Sequence, residues 1–270
     1  MNFKIFLKKK WKQIPFKYQA YIYPIFSKIY YLYCLIFSSQ YSFKDVGIIK
    51  VPFFAKPYLK HSFSQIGEDV VLDRIITAVL RWDIHKPGIY VDVGAYHPII
   101  DSVTYILYRR NWKGIVFDPS TQSKKLFRYW RPKDIFINAL VGEEKKDMVE
   151  YYVPKNSFSD LNLTNTKYIG DSKNYNSKKI RQVNINEELE KLKIDKIDFI
   201  NIDAEGSEME ILKTFNFEKF NPAIISVEMH GNDIIKNINH ELSKLIISNG
   251  YKLIACNVIT YFYCKDSLIN

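Results

Sequence analysis

The sequence has few cysteines, and nothing in their spacing pairs them. Its three cysteines, Cys34, Cys256 and Cys264, form no CxxC motif. Histidine pairs at a metal-binding spacing are also missing. Since disulfide frameworks and structural zinc sites need such patterns, both are excluded, and we expect a protein of a reducing cytosol.

Long apolar runs are missing as well. The best candidate, KIYYLYCLIF at Lys28–Phe37, is apolar for only nine residues after its lysine, and Pro24 interrupts the approach to it. A helix that spans a membrane needs about 20 apolar residues. No small-residue cleavage site follows the run. The sequence therefore predicts neither a transmembrane helix nor a signal peptide.

Acidic residues are almost missing from residues 1–60. This segment holds eleven lysines against the single acid Asp45, so it carries the whole formal charge of +10. It also holds 17 of the 42 aromatic residues. We predict a basic aromatic N-terminal arm at 1–60 that contacts a membrane surface or, alternatively, packs on the globular domain. Nucleic-acid binding is a third use of this composition.

From residue 61 onward, strand and helix patterns alternate. Short β-rich runs bounded by Gly, Pro or Asp predict core strands at Gly88–Gly94, Gly114–Pro119, Asp134–Gly142, Ile197–Gly206 and Pro222–His230. Helical stretches lie between most of them, which predicts an α/β fold with a doubly wound, mostly parallel sheet. We also expect an inserted strand pair and loop at about 147–186 and an antiparallel strand pair at the C-terminal end.

Acidic residues stand where four of these strands end. They are Asp92, Asp118, the pair Asp203 and Glu205, and Glu228. Ligands of open α/β sheets bind beyond the carboxyl ends of the strands. One acid at a strand end is an ordinary helix cap. Four of them converging on one crevice predict a ligand site.

The loop after the first core strand lacks the glycines of a dinucleotide site. YVDVGAYHP, at Tyr90–Pro98, keeps only Gly94 and has the bulky Tyr96 where the GxGxxG pattern needs a second glycine. A ligand with a ribose and an amino acid end but no pyrophosphate fits this loop better. Asp118, at the end of the second core strand, is placed to accept the ribose hydroxyls. S-adenosylmethionine meets that description.

Five motifs, in order, resemble the FkbM family of S-adenosylmethionine-dependent O-methyltransferases: SFSQIGEDVVL, YVDVGAYHPIIDSV, GIVFDP, INIDAEGSEMEILK and ISVEMHG. The resemblance covers residues 62–231 and leaves 1–60 outside. It implies a class I methyltransferase (Rossmann-like) fold for a domain at 61–270. It also implies cofactor contacts from Gln65, Glu68, Asp92, Gly94, Ala95 and Asp118. Family members more often have glutamate at the place of Asp118.

The resemblance gives these loop residues specific roles, with alternatives. Gly94 is expected to let the backbone approach the cofactor, and His97 to lie at the boundary with the acceptor. The alternative for His97 is that it only shapes the turn. For Gln65 and Glu68, the alternative is a capped helix N-terminus in SQIGED.

Methyl transfer to an alcohol needs a general base, or a metal ion that lowers the pKa of the hydroxyl. The candidate catalytic residues are Asp203, Glu228 and His230, with His230 or Asp203 as the base. Asp203, Glu205 and Glu228 are candidate ligands for Mg²⁺ or Mn²⁺. Alternatively, Asp203 and Glu205 only cap the helix that begins in GSEMEIL.

The acceptor implied by the resemblance is a hydroxyl of a sugar, a glycan or a related metabolite, and the basic arm favours a lipid-linked intermediate. The balanced charge of residues 61–270 argues against nucleic acid as the acceptor. An NAD-dependent sugar-modifying enzyme and a non-catalytic α/β binding module are the alternatives. We expect a cytoplasmic protein, either free or at the inner face of the membrane.

Overall fold

The computed structural model describes residues 40–43, 47–50, 61–154, 175–231 and 233–269. The chain divides into two units, Met1–His61 and Ser62–Asn270, which are described separately. In the first unit, β1 (Gln40–Phe43) and β2 (Gly47–Lys50) form an antiparallel pair. The rest of the predicted N-terminal arm lies outside the described residues. Within the described ranges, no helix combines the length and the apolar content needed to cross a membrane.

The second unit is built around a seven-stranded sheet with a smaller sheet beside it. Its strands are β3 (Ile89–Val93), β4 (Lys113–Phe117), β5 (Ile135–Ile137), β6 (Leu140–Val141), β7 (Lys146–Pro154), β8 (Tyr175–Val183), β9 (Phe199–Ile202), β10 (Ile224–Glu228), β11 (Tyr251–Asn257) and β12 (Thr260–Lys265). The large sheet has the order β11–β12–β10–β9–β3–β4–β5. All adjacent pairs from β10 to β5 are parallel, whereas β12 is antiparallel to β10 and β11. The predicted mostly parallel sheet with a C-terminal antiparallel pair is confirmed.

The prediction of one strand over Asp134–Gly142 is wrong, because the chain leaves the large sheet after Ile137. The side chain of Asn138 donates a hydrogen bond of 3.0 Å to the carbonyl oxygen of Asp118, and the next residues turn away. Leu140–Val141 then pairs with β8, which also pairs with β7, and the three strands form the smaller sheet. The strands of the predicted insertion are present, and its loop at 155–174 lies outside the described residues.

Helices cover both faces of the large sheet. They are α1 (Glu68–Arg74), α2 (Tyr105–Arg109), α3 (Thr121–Trp130), α4 (Ile185–Lys191), α5 (Glu208–Thr214), α6 (Phe217–Phe220), α7 (Ile234–Ile238) and α8 (Glu241–Ser248). Successive strand residues point to opposite faces. In β3, Val91 and Val93 join the core that contains α4, α5 and α8, whereas Tyr90 joins the core of α1, α2 and α3.

The strand order reverses at β3. From β3 the chain continues to β4 and β5 on one side, and later returns to place β9 and β10 on the other. In α/β sheets the carboxyl ends of the strands at such a switch point border a crevice that binds ligands. Here those ends carry Asp92 and Asn201 on neighbouring strands, in register with each other.

Candidate active site

A cavity of about 430 Å³ lies at this switch point. The residues predicted from the sequence that line it are Gln65, Asp92, Gly94, Ala95, Asp118, Asp203 and Glu205. Other described residues in its wall were not predicted; they include Tyr96, Asp101, Ser102, Val103, Asn201 and Ser207. The cavity therefore brings together acids from the ends of three strands, β3, β4 and β9.

Asp92, on β3, is a fixed acceptor in the cavity wall. Its Oδ2 accepts a hydrogen bond from Thr104 Oγ1, and its Oδ1 accepts one of 2.9 Å from Asn201 Nδ2. The amide of Asn201 is held in turn by Ser226 Oγ, which donates to Asn201 Oδ1 at 2.6 Å. Burial raises the pKa of Asp92, and the positive charge of Arg131 opposes that effect.

Gly94 is required by a close contact within the fold, whatever its predicted role toward the cofactor. Its φ is +78°, and a Cβ atom at this position would lie 1.7 Å from the carbonyl oxygen of Asp203. The close approach is therefore to the end of β9, within the protein itself. The amides of Gly94 and Ala95 donate to the carbonyl oxygen of Phe117 at 3.0 and 3.3 Å, which joins the loop to β4. Both residues line the cavity, and their cofactor contacts stay predictions.

Asp118, after β4, is almost fully buried and organises two neighbouring loops. Its Oδ2 accepts a hydrogen bond of 2.9 Å from the amide of Tyr96, and its Oδ1 accepts one of 2.8 Å from the amide of Ser120. Ser120 caps α3 with its own hydroxyl. Asp118 also lines the cavity, where the ribose contact is predicted.

The two residues predicted near the start of α1, Gln65 and Glu68, differ in whether they reach the cavity. Gln65 reaches the cavity, but Glu68 does not line it and accepts a hydrogen bond of 2.9 Å from the amide of Ile66. Its neighbour Asp69 is buried and accepts bonds from the hydroxyls of Ser62 and Ser64 at 2.6 and 2.8 Å. Glu68 thus holds the turn that leads into α1, but the alternative of a side-chain cap is not seen, because the N-cap residue is Gly67 and no side chain caps the helix.

His97 is also away from the cavity lining and shapes the turn after β3, as its alternative held. The ring is 1% exposed, and Nδ1 accepts hydrogen bonds from the amides of Ile99 and Ile100 at 3.1 and 2.9 Å. Burial, together with the charge of Arg131, lowers the pKa of His97 to about 3. The neutral ring thus fixes the turn through Nδ1, while its buried Nε2 has no hydrogen-bond partner among the described residues.

Asp203 and Glu228 form a carboxyl pair at adjacent strand ends. The register of β9 and β10 pairs Ile202 with Val227, so the next residue on each strand is a neighbour of the other. Burial raises the pKa of both carboxyl groups, and the neighbouring Glu228 raises that of Asp203 further. Two adjoining carboxylates do not both ionise easily, and this repulsion adds to the effect of burial on Asp203. Asp203 lines the cavity, whereas Glu228 does not.

His230 lies on the solvent side of this pair. Its Nδ1 is 3.8 Å from Glu228 Oε1, its Nε2 is 3.9 Å from Glu205 Oε2, and 53% of its side chain is exposed. The described residues include no group of three or more His, Cys, Asp or Glu side chains arranged to hold a metal ion. The predicted metal set of Asp203, Glu205 and Glu228 is therefore not supported, because Glu205 is largely exposed and faces His230.

Glu208 fixes the loop between β9 and α5, which the sequence analysis missed. Its Oε1 accepts hydrogen bonds from the amides of Ala204 and Gly206 at 2.9 and 3.0 Å. The predicted alternative, in which Asp203 and Glu205 cap this helix, is wrong, since no side chain caps its first residue. A glutamate in the first turn, directly after Ser207, is the sequence signal that could have identified this role.

Several solved structures are similar to this chain, and two of them are described here. One is the fibrillarin pre-rRNA processing protein of Methanococcus jannaschii, with 13% identity, a TM-score of 0.39, and coverage of 86% of this chain and 96% of that one. The other is a Klebsiella pneumoniae protein described as an O-methyltransferase, with 7% identity, a TM-score of 0.35, and coverage of 78% and 83%. No curated protein matches this sequence.

The family comparison concerns the part of the chain that builds the cavity. Residues 92–253, more than half of the chain, match the methyltransferase FkbM domain. The matched range begins at Asp92 and includes Asp118, Asp203 and Glu228. It agrees with the motifs and the sheet order described above. The chain therefore belongs to the FkbM family of S-adenosylmethionine-dependent methyltransferases.

Proposed function

We propose that this domain, residues 61–270, transfers a methyl group from S-adenosylmethionine to a hydroxyl of a sugar, a glycan or a related metabolite. The observation that carries the proposal is the pair of adjoining carboxyl groups, Asp203 and Glu228, whose pKa values are raised by burial, with Asp203 in the cavity wall. An alcohol must lose its proton as it attacks a methyl group, and a carboxyl pair with a raised pKa is suited to accept that proton near neutral pH.

The cavity residues fit the cofactor. Its volume is within the range of ligand sites, about 300–1,000 Å³. Asp92 is placed to accept hydrogen bonds from the cationic amino end, and Asp118 from the ribose. Gln65 lines the cavity from the segment before α1. When bound, the cofactor supplies a methyl group on a positively charged sulfur.

The residues of the chain then align the acceptor hydroxyl and receive its proton. The acceptor hydroxyl, aligned with the methyl group and the sulfur, forms the new O–C bond as the C–S bond breaks, and S-adenosylhomocysteine leaves with the electron pair. The hydroxyl proton passes to the Asp203–Glu228 pair. His230, 3.8 Å from Glu228 and half exposed, offers that proton a route to solvent.

The charge around the pair favours an uncharged acceptor. Glu205 and Glu68 both act on Glu228 in the direction that raises its pKa, as like charges do. A phosphate or carboxylate beside the acceptor hydroxyl would be repelled by these groups. A neutral polyol would instead donate hydrogen bonds to them. The same argument speaks against nucleic acid as the acceptor.

The test is methyl transfer from methyl-labelled S-adenosylmethionine to matched acceptors, each neutral sugar paired with its phosphorylated form. We expect label in a base-stable methyl ether on neutral sugars and little on the phosphates. Preferential labelling of the phosphates, or a base-labile methyl ester, would contradict the proposal. Binding of S-adenosylhomocysteine without any transfer would favour the non-catalytic module.

Asp118→Ala is expected to weaken the binding of S-adenosylhomocysteine by about ten- to a hundredfold, because hydrogen bonds to a charged group contribute about 1.5–3 kcal/mol. Calorimetric titration measures the change. The matched control is Asp195→Ala, an exposed acid remote from the cavity. Wild-type affinity in Asp118→Ala would remove the ribose assignment. Stabilisation of the wild type by NAD alone, in a thermal-shift assay, would revive the NAD-dependent alternative.

We also propose that residues 1–60 hold the protein at the inner face of a membrane, which supports a lipid-linked acceptor. The support is compositional, since the segment carries the whole formal charge of +10 and 17 aromatic residues. Each lysine near an anionic surface contributes about 1 kcal/mol. This attraction is screened by salt, whereas the burial of aromatic side chains is not.

Removing residues 1–60 is therefore expected to abolish sedimentation with anionic vesicles while leaving the binding of S-adenosylhomocysteine intact. Vesicles of neutral lipid are the control for the full chain, and added salt should release part of the bound protein. Vesicle binding that survives the truncation would contradict the proposal. Aggregation of the truncated chain would favour an arm that packs on the globular domain.

A further inference from the structure

Arg131 is the largest of the fully buried side chains and follows α3 directly. Its Nε donates a hydrogen bond of 2.6 Å to Asp134, which compensates the charge. The guanidinium also lies 5.4 Å from the ring centres of Tyr90 and Tyr108 and 4.8 Å from that of Phe127. A buried cation with this many partners is held in one orientation.

Nη2 of Arg131 donates to the hydroxyl of Tyr90, and both Nη atoms also donate to the segment that forms one wall of the cavity. Nη1 is 3.3 Å from Ser102 Oγ, 3.1 Å from Thr104 Oγ1 and 3.4 Å from the carbonyl oxygen of Pro98. Ser102 lines the cavity together with its neighbours Asp101 and Val103. The guanidinium thus fixes a loop that has no regular secondary structure of its own before α2.

Thr104 connects this cation to Asp92. Both Nη atoms of Arg131 donate to Thr104 Oγ1, at 3.1 and 3.0 Å. A hydroxyl has one hydrogen, so Thr104 is left to donate that hydrogen to Asp92 Oδ2. The direction of the hydrogen bonds is therefore set from Arg131 through Thr104 to the carboxylate in the cavity wall.

We propose that Arg131 is a positioning residue for the cofactor: through Thr104 it holds Asp92 as an oriented carboxylate that receives the amino group. This inference rests on the proposed placement of the cofactor. The charged groups that face Asp92 are Arg131, which favours its ionised form, and Asp134, which opposes it; Asp203 also interacts with Asp92 across the cavity.

The first test compares Thr104→Val with Thr104→Ser, by calorimetric titration with S-adenosylhomocysteine. Valine removes the hydroxyl and keeps the shape, whereas serine keeps the hydroxyl. We expect Thr104→Val to bind about tenfold more weakly, the loss typical of one hydrogen bond to a charged group, and Thr104→Ser to recover most of that affinity. Equal affinity in the two variants would overturn the proposal that Arg131 positions Asp92 through Thr104.

The second test is the pH dependence of the same titration in Arg131→Met and Arg131→Lys. Without the cation, Asp92 takes up a proton at higher pH, and a protonated Asp92 cannot receive an ammonium group. Between pH 8 and pH 6, we expect Arg131→Met to lose about tenfold more affinity than the wild type, with Arg131→Lys restoring most of the wild-type profile. A purely structural arginine would leave the profile of a folded variant unchanged.

The outcomes distinguish an error in the proposed cofactor site from an error in the positioning role of Arg131. Failure of the wild type to bind S-adenosylhomocysteine would overturn the cofactor site itself. Wild-type binding with the wild-type pH profile in Arg131→Met would overturn only the positioning role. If Arg131→Met does not fold, the comparison of Thr104→Val with Thr104→Ser decides alone, because neither variant removes the buried cation.

Discussion

Gly94→Ala is expected to destabilise the second unit by about 2–5 kcal/mol, the sum of a left-handed backbone cost and an overpacking cost. The added methyl group would lie 1.7 Å from the carbonyl oxygen of Asp203, which is backbone and cannot rotate away. To relieve this clash, β3 and β9 must separate at their carboxyl ends. Urea denaturation followed by circular dichroism measures the loss.

Gly250→Ala is the matched control for this change. Gly250 has a φ of +88°, close to that of Gly94, but a Cβ atom there would meet nothing within 4 Å. It should therefore lose only the backbone contribution, about 1–2 kcal/mol. Equal losses in the two variants would show that the contact with β9 does not matter, and that Gly94 is kept only for its backbone angle.

Asp203→Asn is expected to lower methyl transfer by about 10²- to 10⁴-fold, the usual contribution of a general base. The variant keeps the shape of the side chain but removes one of the two ionisable carboxyl groups. Because Asn resembles the protonated form of Asp203, the binding of S-adenosylhomocysteine should change little. Initial rates with labelled cofactor and the best neutral acceptor measure the effect.

Glu228→Gln provides the sharper comparison. If Asp203 and Glu228 act as one unit, the double variant should be no slower than either single variant, since the unit is already lost. Two independent losses would multiply. Glu218→Gln, an exposed acid on α6, serves as the control and should transfer at the wild-type rate. Wild-type rates in Asp203→Asn would assign the base to another group.

Much of the fold was predictable because its strands are short and buried. Runs such as Tyr90–Val93 and Phe199–Ile202 are rich in β-branched and aromatic residues and end at Gly or Asp. The break after Ile137 was not predictable in this way. The apolar pattern continues through Ala139 and Val141, and only a tertiary contact, from Asn138 to the carbonyl group of Asp118, redirects the chain.

The candidate site was predictable in part, for a topological reason. Parallel strands bring their carboxyl ends to one edge, so Asp92, Asp118 and Asp203 could be placed together from strand order alone. The functions of individual side chains were harder to predict. His97 and Glu68 have the residue types of a site, yet local backbone amides occupy them. Such short-range competition depends on turn geometry that the sequence pattern does not reveal.

The pair of Asp203 and Glu228 also makes the stability of the folded protein depend on pH. Both carboxyl groups have raised pKa values in the folded chain, so between about pH 4 and those raised values the folded state binds more protons than the unfolded state does. The free energy of unfolding then decreases as the pH rises through this window. Above these raised pKa values, both carboxyl groups are ionised. The pair is then the stronger proton acceptor, but its two adjoining negative charges destabilise the folded state. A rise in pH therefore makes the pair a better proton acceptor and, at the same time, lowers the stability of the folded protein.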